Sequence, residues 1–192
     1  MDTALLTSGP ARVYVDISGT PTEVGHIKGG VHIRRDLRTL ELMADELGDE
    51  PANEIVKGSV VEVSFSLAEY SLVNIRRAFV DSKDLQDDTT STKQSVEIRA
   101  KVGLSLLGVS RKWTIKPIDP ATGDVTTDAN KIITVWKGTP SAGSVELVFS
   151  PDEQRLIPVT LKCYADTAAN KYRKVTIGDT TIVDANESGF TF

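Results

Sequence analysis

Two histidines, one cysteine, several hydroxyls and scattered carboxylates are the residues of this chain whose types can do chemistry. His26 and His32 are its only histidines, and Gly29 and Gly30 between them mark a turn, so the pair is not set at i, i+4 on one helix face. A zinc site needs further converging ligands, and no cysteine lies nearby to supply one. Both histidines are expected at the surface or in the turn, with no metal and no cofactor. Ser, His and Asp all occur, but no serine sits in a Gly-x-Ser-x-Gly elbow, so no triad is assigned. Gly25, Gly29 and Gly30 lack the Lys-Ser/Thr end of a phosphate loop and read as a hairpin turn. The carboxylate pairs Asp87–Asp88 and Asp45–Glu46 fall in polar stretches, where nothing tunes one partner into an acid. Trp113 and Trp136 lie in strand-like segments as packing residues, and Cys163 reads as a small buried hydrophobe. No residue set points to catalysis.

The elements that carry these residues are mostly strands, because apolar and polar residues alternate with period two along most of the chain. RVYVDI (residues 12–17) leads to a turn at Ser18 and Gly19, and residues 31–43 again look extended and are expected to pair with it. Residues 44–57 hold Asp45, Glu46, Asp49, Glu50 and Glu54 around Gly48 and Pro51, as in a solvated loop or the tip of a long hairpin. The clearest strand follows, with Val61, Val63, Phe65 and Leu67 on one face and Glu62, Ser64 and Ser66 on the other. Ser71 then caps a short helix whose Leu72, Ile75 and Phe79 recur at helical spacing, with Arg76 and Arg77 opposite. Residues 81–94 are rich in Asp, Ser and Thr and read as a surface loop. Further strands are expected at 96–102, 112–118, 131–137, 144–149, 156–164, 171–177 and 180–183.

The expected fold is one all-β domain spanning residues 1–192: an antiparallel β-sandwich flanked by a helix, with loops near 44–57 and 81–94 and terminal arms at 1–11 and 184–192. A 192-residue chain with 40% apolar and 26% charged residues supports one core. Its formal charge of −5 argues against wrapping nucleic acid by phosphate neutralisation. The single cysteine excludes an intrachain disulfide and fits a reducing site of folding. The first residues lack the basic start and apolar run of a secretion signal, and no run of eighteen apolar residues occurs, so the expectation is a soluble chain made without export or membrane insertion.

In order, RVYVDI, the glycine-rich turn, a long strand, an acidic loop, NEIVKGSVVEVSFSLAE (residues 53–69) and the helix SLVNIRRAF (residues 71–79) resemble the tail tube proteins of long-tailed, siphovirus-like bacteriophages. RLIPVTLKCYAD (residues 155–166) is similar to their penultimate strand, so the resemblance covers most of the chain outside its loops. It implies hexameric rings whose inner sheets join into one barrel and which stack into a hollow tube. The implied partners are further copies of the chain, the tape measure protein, the tail terminator and tail-tip proteins, and double-stranded DNA in non-specific passage. The implied place is the virion, after assembly in the host cytoplasm.

A wall that conducts DNA should be acidic or neutral, since each Lys or Arg contact to phosphate adds affinity through counterion release. Glu62, Ser64, Ser66 and, on another strand, Glu97 are therefore the expected lumen-facing residues. Contacts between subunits are expected at Asp45, Glu46, Asp49 and Glu50 and at the two phenylalanines of the polar tail, Phe190 and Phe192. The competing reading is a monomeric Ig-like or adhesin-type binding module built from the same strands.

Overall fold

Alternating strands leave main-chain groups that need partners, and this chain supplies most of them within one antiparallel sheet. A computed structural model describes residues 10–43, 46, 50–86, 90, 92–99, 101–119, 122–140, 145–149, 152, 154–168 and 172–181. Its strands are β1 (Ala11–Ile17), β2 (Thr20–Glu23), β3 (Ile27–Met43), β4 (Pro51–Leu67), β5 (Ser82–Gln86), β6 (Gln94–Ile98), β7 (Arg111–Pro117), β8 (Ile133–Pro140), β9 (Ile157–Tyr164) and β10 (Val175–Ile177), with one α-helix, α1 (Leu72–Ala78). The large sheet runs β2-β1-β7-β8-β9-β4-β3, with β10 paired to β8, while β5 and β6 form a small sheet of their own. The architecture is mainly antiparallel β with one short helix, as the sequence predicts.

The large sheet curls over its own core. Phe65 on β4 and Trp113 on β7 lie three strands apart in the sheet order, yet their ring centroids are 6.1 Å apart. A flat sheet would separate those strands by roughly 14 Å. Val13, Val63, Leu67, Val135, Ile157 and Leu161 fill the enclosed space and are essentially inaccessible to solvent. Gly138 marks its tightest point: the Trp113 indole donates to the Gly138 carbonyl at 3.1 Å, and a Cβ at Gly138 would sit 2.9 Å from Trp113 Cδ1.

Ser71 caps α1 as expected, its hydroxyl accepting from the Asn74 N–H at 3.2 Å. The buried row differs from the predicted one. Asn74 and Ala78 face the core, Ile75 and Phe79 pack at its margin, and Leu72 stays exposed. Asn74 can be buried because it is satisfied: its amide nitrogen donates to the Glu69 carbonyl at 3.0 Å and its oxygen accepts from Arg77 at 2.9 Å.

Several expectations are corrected. β1 pairs with β2 and β7, not with the strand that begins near residue 31, because the Ser18–Gly19 turn returns at once into the short polar strand β2. Gly29 and Gly30 form no hairpin turn. They are a two-residue bulge inside β3, with φ of +84° and +80°, that breaks the register between Lys28 and Val31. Of the two readings of residues 44–57, the long hairpin is the one found: β3 runs to Met43, and residues 51–57 belong to β4, which pairs with it. Within 81–94, β5 pairs with β6, and polar side chains are tolerated there because Lys83, Ser95 and Glu97 on this ribbon stay exposed. Residues 145–149 join no ladder, although Val145 and Leu147 pack on the core. The strand expected at 96–102 ends at Ile98, and the one at 171–177 begins at Val175.

Candidate assembly surface

β3 and β4 are both seventeen residues long, but the body of the domain covers only part of them. Every residue of β3 from His32 to Met43 is exposed, as is every residue of β4 from Pro51 to Lys57. The hairpin thus leaves the body as an arm. It is not a polar arm: Leu37, Leu40, Leu42, Met43, Ile55 and Val56 are each 38% exposed or more. Leu40 stands opposite Ile55, and Glu41 stands opposite Glu54. Directly opposed side chains lie about 5 Å apart at Cβ, and like charges so placed repel. β3 is also the last strand of the sheet, so its outer row of N–H and C=O groups runs open for the length of the strand.

Glu62, Ser64 and Ser66 lie half-exposed on the outer face of β4, with Val61, Val63, Phe65 and Leu67 inward, as the alternation predicts. The neighbouring strands change the meaning of that face. Glu62 is flanked by Arg34 on β3 and Lys162 on β9, Ser64 by His32 and Thr160, and Ser66 by Lys28 and Pro158. Arg34 also reaches Asp36 at 3.2 Å. The face therefore mixes both signs, with cations outnumbering carboxylates, and is not acidic. Glu97 sits on β6 in the small sheet and pairs with Arg99, so this chain alone does not bring it onto the face of Glu62.

Of the residues expected to touch other subunits, Glu46 and Glu50 are exposed at the end of the arm. Asp45, Asp49, Phe190 and Phe192 lie outside the described residues, as do most of the terminal arms. The residues that sequence reasoning missed are the apolar ones on the arm. Their signal is alternation that continues past the length a single core can cover.

At the far end of β4 from the arm lies a second exposed apolar patch. The Tyr70 and Phe149 rings meet edge to face at 5.9 Å, and the Arg155 guanidinium lies over both, 5.8 Å from Tyr70 and 4.9 Å from Phe149. Phe149 is 60% exposed, and Val148, Leu72 and Val73 beside these residues in sequence are exposed as well. Among the described residues no carboxylate pairs with Arg155.

The groups first singled out for chemistry are held structurally. The main-chain N–H of His26 donates to Glu69 Oε1 at 3.0 Å, and His32 Nε2 lies 3.1 Å from the Gly29 carbonyl, so the two rings have separate partners. Cys163 is buried, and burial pushes its thiol up to about 11. Trp113 is core, whereas Trp136 is half-buried beneath Arg173 at 3.7 Å and beside Lys112 at 5.0 Å. Among the described residues no three His, Cys, Asp or Glu converge as a metal site, and no helix is long and apolar enough to cross a membrane.

The chain matches no protein-family model and no curated protein sequence. Among solved structures it is similar to a chain of the anti-feeding prophage tube terminating cap, with 12% identity, 94% of this chain and 97% of that chain covered, and a TM-score of 0.49. A chain of the anti-feeding prophage baseplate gives 10% identity, 92% and 97% coverage and a TM-score of 0.46. One from the virion of a native gene transfer agent particle gives 11%, 82% and 93%, and 0.44.

Proposed function

We propose that the chain is a structural, non-catalytic tail tube protein that forms hexameric rings stacked into a hollow tube. The lumen holds the tape measure protein and conducts phage DNA to the host, and tail terminator and tail-tip proteins close the two ends. The observation that carries this reading is the open edge of β3 on an arm studded with exposed leucine and isoleucine. A long, unpaired, apolar edge is a liability in a monomer and the natural joint of an assembly. The order of sequence blocks that resembles tail tube proteins supports the same reading.

In this reading the outer face of β4, with Glu62, Ser64 and Ser66, lines the bore. Arg34 is then engaged by Asp36, and Glu62 sets a carboxylate between Arg34 and Lys162, which limits the counterion release that a bare cationic wall would offer to DNA. The test is negative-stain electron microscopy of the purified protein at high concentration, with and without a crowding agent. Rings or hollow tubes are expected. Persistent monomers under both conditions would instead favour the Ig-like or adhesin-type module.

A further inference from the structure

The arm carries a charge defect, and the opposite end of the same strand carries its complement. Glu41 and Glu54 face each other across the arm, so each raises the cost of the other. Arg155 is exposed and lies over two aromatic rings, which fix the position of its guanidinium. Both sites have exposed apolar side chains on their own face: Met43 and Val56 beside the glutamates on the arm, and Tyr70, Leu72, Val148 and Phe149 on the patch, while Leu40, Leu42 and Ile55 make the arm's other face apolar.

Distance decides whether one chain can satisfy itself. The β3–β4 ladder runs from Glu54 to Leu67 with irregularities only at Gly29–Gly30 and between Arg38 and Thr39, and thirteen residues of strand span about 40 Å. Tyr70 lies three residues beyond that end. A paired, two-stranded arm of this length cannot bend back onto its own patch, so the acidic pair and the arginine can meet only between copies.

We infer that Arg155, clamped by Tyr70 and Phe149, is the receptor for the Glu41–Glu54 pair on the arm of a second copy of this chain. This rests on the reading of the protein as self-assembling. Because donor and receptor lie at opposite ends of β4, the contact is head-to-tail and leaves a free arm and a free patch at every stage, which propagates a row and does not close a pair. One arginine between two carboxylates resolves their repulsion, and its guanidinium fork can bond to both.

The first test is a charge swap read by the critical concentration for assembly in analytical ultracentrifugation. Arg155→Glu alone, or Glu41→Arg with Glu54→Arg, should raise it about tenfold or more, and combining all three should bring it back near the wild-type value. The second test leaves those charges intact. Val56→Cys, which shares the face of Glu54 on the arm, and Val148→Cys on the patch are both exposed, and the sole native thiol is buried, so a mixture of the two variants should give a disulfide-linked dimer on mild oxidation. Thr20→Cys on β2 replaces the arm cysteine as the control. Assembly without the Val56–Val148 crosslink and without charge-swap rescue would overturn this contact while leaving self-assembly standing. A chain that stays monomeric at every concentration would overturn both.

Discussion

Replacing Leu40 and Ile55 together by threonine separates an assembly surface from a folding core. The two side chains stand opposite each other on the arm and are 41% and 49% exposed in the single chain. Fully burying a leucine or isoleucine is worth roughly 1.5–3 kcal/mol, so covering the half left open recovers about 1 kcal/mol for each. The double substitution should therefore weaken each contact between copies by about 2 kcal/mol, or roughly 30-fold in the association constant. Threonine is β-branched and favours strand, and neither residue belongs to the enclosed core. The halves already covered within the arm are worth about 1 kcal/mol each by the same arithmetic, so the stability of the monomer should fall by no more than about 2 kcal/mol. Sedimentation gives the critical concentration, and urea unfolding below that concentration gives the stability of the monomer. A critical concentration within about twofold of the wild type would refute the reasoning. So would a large fall in the urea midpoint, because the arm would then be holding the fold and not joining copies.

Gly138→Ala should destabilise the fold by about 1–3 kcal/mol, since the new Cβ meets the Trp113 ring that is pinned to the same residue's carbonyl; a blue-to-red shift of tryptophan emission at lower denaturant would report it. The Cys163 thiol, raised to about 11 by burial from its ordinary value of 9.0, favours the folded state while it stays protonated. That contribution is present below about pH 9 and is lost as pH rises towards 11. Cys163→Ala should therefore lose less stability than the wild type between those pH values, and parallel curves for the two proteins would contradict the assignment. Glu62→Lys replaces the carboxylate between Arg34 and Lys162 with a third cation. Rings should form as before while DNA delivery slows, most strongly at low salt; normal delivery from normal tubes would remove this face from the bore.

What the sequence revealed depended on how far away the deciding partner lay. The alternation from Val61 to Leu67 and the Ser71 cap are set by neighbours within a few residues, and both were legible. The strand Ser82–Gln86 was not, because its polar residues form a strand only by pairing with Gln94–Ile98. β1 was assigned the wrong partner for a related reason: the choice of β7 is made across about a hundred residues of chain and leaves no local trace. At the candidate surface, alternation alone puts Glu62 on the face of β4 away from the core. Its charge environment was hidden, because Arg34 and Lys162 reach it only through the registers of two other strands. The opposition of Glu41 and Glu54 is hidden more deeply still, since it depends on the irregularity between Arg38 and Thr39 that shifts every later rung.

That opposed pair of glutamates also limits how two free copies can meet. The simplest association open to a naked edge strand is a mirror-like pairing of one arm with another, which would finish as a closed dimer and go no further. Laying two such arms side by side would crowd four carboxylates into one stretch of ribbon with no cation of their own rung between them. The repulsion that weakens the isolated arm thus acts as a filter on encounters: it leaves the dead-end dimer unattractive and keeps the arm unspent until a surface bearing the opposite charge arrives.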